Sequence, residues 1–165
     1  MNKSLSISTF CLFGLLLPFA LLFAQEAAPE SPLQVQLNAY QFAHGERGQA
    51  LTEDSEILPG HIIEYELTYV NVSDESLFKV NAEGAIPEDT VYIGGSATAE
   101  EGIEPKYSVD GTSFSVLPLI IEEENDAGEV VEVEAGPESF RAIRWEIEEL
   151  IPGASHTFSY QVQVN

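Results

Sequence analysis

Cysteine is nearly absent. The chain has one, Cys11, and it falls in an apolar N-terminal run. That excludes a disulfide framework and any metal site built from clustered thiolates. Basic residues are almost as scarce: six Lys and Arg stand against 28 Asp and Glu, a net charge of −22. A field of that sign repels nucleic acid and anionic lipid headgroups, so neither is expected as a partner. It favours solubility, as in a salty habitat, and could draw divalent cations or a basic partner. Helical periodicity is missing as well, because no useful stretch after residue 24 repeats its apolar residues at three and four.

The N-terminus carries one basic residue, Lys3, and then an apolar run from Phe10 to Phe23 broken by Gly14 and Pro18. A small residue, Ala24, precedes Gln25. This is the pattern of a signal peptide over residues 1–24. The run is short of the roughly 20 apolar residues that a membrane span needs, so no stable span is expected after cleavage. Cys11 lacks a Leu-Ala-Gly-type sequence before it and reads as an apolar residue of the run, not as a lipid anchor. Cleavage leaves 141 residues, no cysteine and a net charge of −23. A domain of that size can bury enough surface to be stable without disulfides. An exported bacterial protein, periplasmic, surface-bound or secreted, fits these features. Residues 25–32, QEAAPESP, read as a flexible tether, and residues 33–165 as one domain.

Period-two alternation organises that domain. In Pro59–Asn71, Ile63, Tyr65, Leu67 and Tyr69 alternate with Glu64, Glu66 and Thr68, which predicts a central strand with one apolar and one wet face. Leu33–Phe42 alternates likewise and is expected at an edge, and Ala43–Glu56 is expected to be looped with a short strand at Gln49–Leu51. Leu77–Ala85 is predicted as a strand with Phe78, Val80 and Ala82 on one face, and Thr90–Ile93 as a short one. Pro105–Val109 should form a hairpin with Phe114–Ile121 across Asp110-Gly111, with Pro118 confining the second arm to an edge or bulge. Glu122–Glu134, with seven carboxylates, reads as an extended loop or irregular hairpin. Phe140–Ile147 and Ser155–Val164 are the last strands, the latter with His156, Phe158, Tyr160, Val162 and Val164 on one face. Seven to nine short strands with regular turns predict an antiparallel β-sandwich with Greek-key connections, and a closed barrel is the alternative. Trp145 suits a core position between two sheets.

Several of these segments resemble a known family in their order and spacing. Ile57-Leu58-Pro59-Gly60 followed by Tyr65–Asn71, Ala85–Tyr92, Tyr107–Gly111 with Phe114, Ile143-Arg144-Trp145, Leu150–Gly153 and Phe158–Val164 are similar to successive segments of the bacterial conserved-repeat surface domain (domain of unknown function eleven). The resemblance spans about residues 50–165. It implies an immunoglobulin-like fold, export, and a place among surface and envelope proteins, with no catalytic residues to transfer. The chain holds one copy and no recognisable anchor or sorting tail, so a free module or a small part of an assembly is expected in place of a stalk.

No catalytic, cofactor-binding or metal residues are assigned. His44, His61 and His156 are far apart in sequence and lack zinc-ligand spacing. Ser155 and His156 are neighbours on a strand, so they point to opposite faces, and no Gly-x-Ser-x-Gly elbow is present. Glu122, Glu123, Glu124 and Asp126 offer oxygen ligands for weak calcium binding, but without EF-hand spacing they first read as a solvated acidic loop. Tyr40 and Phe42 could serve a carbohydrate-binding surface. Asn71-Val72-Ser73 fits a glycosylation acceptor, though in a bacterial protein it reads as a strand end in a turn. The leading expectation is a non-enzymatic role, structural or in protein interaction at the cell envelope, with a partner strand added at an exposed edge. A calcium- or carbohydrate-binding module is the alternative, and a hydrolase has only unplaced carboxylates behind it.

Overall fold

The computed structural model describes residues 31–165 apart from Asp126. The segments expected as signal peptide and as most of the tether, with Cys11 and Asp126, lie outside the described residues. Among the described residues there are ten strands: β1 (Leu33–Ala43), β2 (Glu46–Ala50), β3 (Ile62–Asn71), β4 (Leu77–Ala85), β5 (Thr90–Tyr92), β6 (Lys106–Ser108), β7 (Ile120–Glu124), β8 (Val130–Glu134), β9 (Ala142–Leu150) and β10 (Ser155–Val164). They form an antiparallel five-stranded sheet in the order β2-β1-β3-β10-β5, a three-stranded sheet β4-β9-β6 and a two-stranded ribbon β7-β8. Both large sheets are open, so the fold is an all-β sandwich and not a barrel. Neighbours such as β3–β10 and β4–β9 come from opposite ends of the chain, and β3–β4 and β9–β10 cross between sheets. These are connections of the Greek-key kind.

The central strand is β3, which pairs with β1 on one side and β10 on the other. Its inner residues Ile63, Leu67 and Tyr69 meet Phe158, Tyr160 and Val162 of β10, and Ile143, Trp145, Ile147 and Leu150 of β9, in one buried cluster. Trp145 is fully buried and stacks on Phe158, with ring centroids 4.9 Å apart. Its indole N–H donates to the Thr98 carbonyl at 2.7 Å. The aromatic expected between the sheets is there, and its one polar atom is satisfied.

Five expectations need correction. The outer face of β3 is not uniformly wet: Glu64 is 7% exposed, because a central strand's outer side chains are covered from both flanking strands. Ala43–Glu56 is looped from Leu51 onward, but its short strand lies earlier and is longer than expected, over Glu46–Ala50. His44 and Gly45, with φ of 56° and 81°, make a two-residue turn into β2, which covers β1 over Tyr40–Ala43. On β4, Val80 and Ala82 face the core as expected, but Leu77 packs there in place of Phe78, which is 66% exposed. Lys79, at a φ of 54°, breaks the alternation, and Glu148-Glu149 on β9 breaks it opposite. The predicted pair of Pro105–Val109 with Phe114–Ile121 shrinks to one bridge, Tyr107 to Ser115. Finally, the acidic run is a regular hairpin in full register from Ile120 opposite Glu134 to Glu124 opposite Val130, and with it the described strands number ten, one more than expected.

Buried phenols make the core sensitive to alkali. Burial raises Tyr160, Tyr107 and Tyr65 above the ordinary phenol range; Tyr92 adds to the effect at Tyr107 and Tyr65 at Tyr160. A raised folded-state pKa gives stability that is complete below the unfolded value of about 10 and is lost as pH climbs through the folded value. Thermal melts should therefore be flat from pH 8 to 9.5 and fall steeply from about pH 10. An unchanged melting temperature at pH 11.5 would contradict this. Asp110 acts in the opposite direction. Its carboxylate accepts from the Ser113 and Thr112 N–H groups and the Ser108 hydroxyl, which holds it well below the usual carboxylate range. Its contribution is present above about pH 4 and lost as pH falls.

Candidate functional site

The most distinctive surface is the open part of β1. Leu33–Ala43, LQVQLNAYQFA, carries no charged residue in a chain with 28 acids. β2 begins to pair only at Tyr40, so Leu33–Asn38 has β3 on one side and no described strand on the other. The edge expected for this strand exists over its first half. Two bonds show which peptide groups face outward. The Ala39 carbonyl accepts from Leu51 N–H at 2.8 Å, and the Ser31 hydroxyl donates to the Leu33 carbonyl at 2.9 Å. Alternation then points the N–H and C=O groups of Val35 and Leu37 to the open side.

The side chains of those residues stand opposite Tyr69 and Leu67, on the face that forms the core further in. Val35 is 51% and Leu37 60% exposed, since the three-stranded sheet does not reach them. Exposed edges are normally guarded by charge, proline or a bulge. Pro32 stands just before this one, and Val35 and Leu37 are unguarded.

The opposite face of this region is locked by ionic contacts. Arg47 of β2 reaches both Glu64 and Glu66, with its Nε donating to Glu64 Oε1 at 2.6 Å. Gln161 Nε2 donates to Glu64 Oε2 at 3.0 Å, and the Arg47 guanidinium lies 4.5 Å from the centre of the Tyr40 ring. Arg47→Met would leave the Glu64 carboxylate with one neutral partner. We expect a loss of about 1–2 kcal/mol in urea unfolding, less than for a buried pair because Arg47 is 38% exposed. An unchanged midpoint would show the pair to be inert.

The residues singled out in the sequence are scattered. His44 occupies the β1–β2 turn, and His61 Nδ1 accepts from the Leu58 N–H at 3.3 Å ahead of β3. His156 is half-buried, bonds Glu100 through Nδ1 and stacks on Phe158. Tyr40 and Phe42 lie beside β2 and are half-buried, so they form no open aromatic platform. Asn71 is completely buried. Among the described residues no group of three or more His, Cys, Asp or Glu is arranged to hold a metal ion. The ribbon places Glu122 opposite Glu132, with Glu124 and Glu134 two residues along on the same face. On the outer face of β4-β9-β6 two shallow hollows share Glu146 and Glu148, and Lys106 pairs with Glu146 at 2.5 Å.

No family model, curated protein or solved structure matches the chain.

The open edge went unrecognised as a specific surface because its signal is an absence of charge. Eleven uncharged residues in so acidic a chain could have pointed to it.

Proposed function

We propose that this is an exported bacterial β-sandwich protein, without enzymatic activity, that serves a structural or protein-interaction role at the cell envelope. The observation that carries the reading is the uncharged open edge of β1, with Val35 and Leu37 exposed beside peptide groups that no described strand pairs. Such an edge accepts a further strand through main-chain hydrogen bonds, and alternate side chains supply the contact. The N-terminal pattern supports export, and the resemblance of residues 50–165 to a bacterial surface domain supports the envelope.

The test is site-specific photo-crosslinking in intact host cells, with the crosslinker at position 37 and the captured material identified by mass. One discrete protein species, lost when the crosslinker moves to position 163 on the far side of the sheet, is the expected result. Capture of a sugar polymer, or equal capture from both positions, would overturn the reading.

A further inference from the structure

Leu33-Gln34-Val35-Gln36-Leu37 is a palindrome. On an antiparallel edge a palindrome is a self-complementary surface. If two copies pair about Val35, Leu33 meets Leu37 of the other copy, Gln34 meets its Gln36, and Val35 meets its counterpart. Every apolar residue then faces an apolar residue and every amide an amide, with no charge in the interface. The peptide groups agree. The outward set is Leu33, Val35 and Leu37, as the bonds at Leu33 and Ala39 show, and these are the residues that would exchange hydrogen-bonded pairs about Val35 once the exposed Ser31 hydroxyl gives up the Leu33 groups it holds. β2 leaves the edge free until Tyr40, so the five residues are not screened by the protein's own hairpin.

We propose that the partner of the β1 edge is a second copy of this chain, joined by antiparallel pairing of Leu33–Leu37 across a two-fold axis to make one continuous ten-stranded sheet. The proposal rests on the reading of this edge as an interaction surface and names its occupant. Charge selects the same partner. At a net charge of −22 two copies repel over most of their surface. β1 is the longest strand and has no carboxylate, and the nearest acids on its outer face, Glu64 and Glu66, are held by Arg47. Two such bodies meet with least repulsion here. The symmetry is that of an isologous dimer.

The test is sedimentation velocity on the protein purified from cells expressing the full chain, at protein concentrations from micromolar to millimolar and in low and high salt. A monomer–dimer equilibrium that tightens with salt is expected, because salt screens the body repulsion and leaves the uncharged strand pairing intact. Val35→Lys opposes two ammonium groups at the axis and should weaken the dimer by at least about tenfold, with an unchanged circular dichroism spectrum. Register is read by oxidation in a Cys11→Ser background. Val35→Cys should form an intermolecular disulfide, since hydrogen-bonded partners have Cα atoms about 5.5 Å apart. Leu37→Cys should not, being about 14 Å from its own mate.

A monomer at every concentration and salt would overturn the proposal. So would a dimer that ignores Val35→Lys, or one that crosslinks equally at positions 35 and 37. If the protein is monomeric while cells yield a different protein crosslinked at position 37, the second copy is refuted and the edge keeps its role in interaction. If neither appears, both readings fall.

Discussion

Gly84→Ala is expected to lower the unfolding free energy by about 3 kcal/mol and the melting temperature by about 10 °C. Gly84 lies in β4 and faces the ring of Tyr160 from the opposite sheet. A Cβ built there would collide with Tyr160 Cε1 and stand 2.9 Å from its Cζ and 3.0 Å from its hydroxyl. The ring cannot swing away freely. Tyr160 is 2% exposed, stacks on Tyr65 with centroids 5.4 Å apart, and donates its hydroxyl to the Ala85 carbonyl at 2.5 Å. The methyl group must therefore push the sheets apart or break the bond that caps the β4 edge. Circular dichroism melts of the two proteins give the answer directly. A stability equal to that of the parent would mean the two sheets are held less tightly than this contact requires. Gly84→Ala with Tyr160→Leu should recover part of the loss, because the collision is with the ring.

Asn71→Ala should cost about as much, roughly 3 kcal/mol, by a different route. Asn71 ends β3 and is completely buried. Its side-chain amide donates to the Leu150 carbonyl at 2.8 Å and the Glu75 carbonyl at 2.7 Å. Its side-chain oxygen accepts from the Ser73 N–H at 3.0 Å and the Ser73 hydroxyl at 2.7 Å. One residue thus joins the end of β9 in one sheet to the end of β3 in the other and closes the turn into β4. Alanine takes the side-chain donor from the buried Leu150 carbonyl, leaves the Glu75 carbonyl with the Ser73 hydroxyl alone, and strips Ser73 of its acceptor, and an unsatisfied buried group costs about 1–3 kcal/mol. Asn71→Asp keeps the acceptor and loses both donated bonds, so it should be nearly as damaging at neutral pH. Urea unfolding decides the matter. A midpoint within the error of the parent's for Asn71→Ala would show that water replaces the amide and that the joint is not structural. The same burial argues against Asn71 as a modification site in the folded protein.

Where sequence and structure agree, the reason is local. Alternation along β3 and β10 was legible because one side of each strand is buried and period two is the only way a strand can present it. The turns at Gly60, Gly111 and Gly153 were legible because their positive φ values of 86°, 75° and 73° suit glycine. Phe78 was misassigned because the alternation slips at Lys79, a lysine in a conformation that lysine seldom adopts. The acidic hairpin was half hidden. Its valines and isoleucines favour a strand, while opposing Glu122 and Glu132 argues against pairing.

The amino-acid sequence by itself determined the fold class, the positions of most strands and the core identity of Trp145, because hydrophobic period and turn chemistry act over a few residues. It also set the uncharged palindrome of Leu33–Leu37. Only the tertiary structure decided that β2 leaves this part of the expected edge open, that Glu64 is buried beneath Arg47, and that Gly84 must lack a side chain. Each of those depends on which strand lies beside or across from which. That order is set by long-range pairing of segments such as β3 with β10, whose partners stand about ninety residues apart at Thr68 and Thr157, and no local pattern along the chain records it.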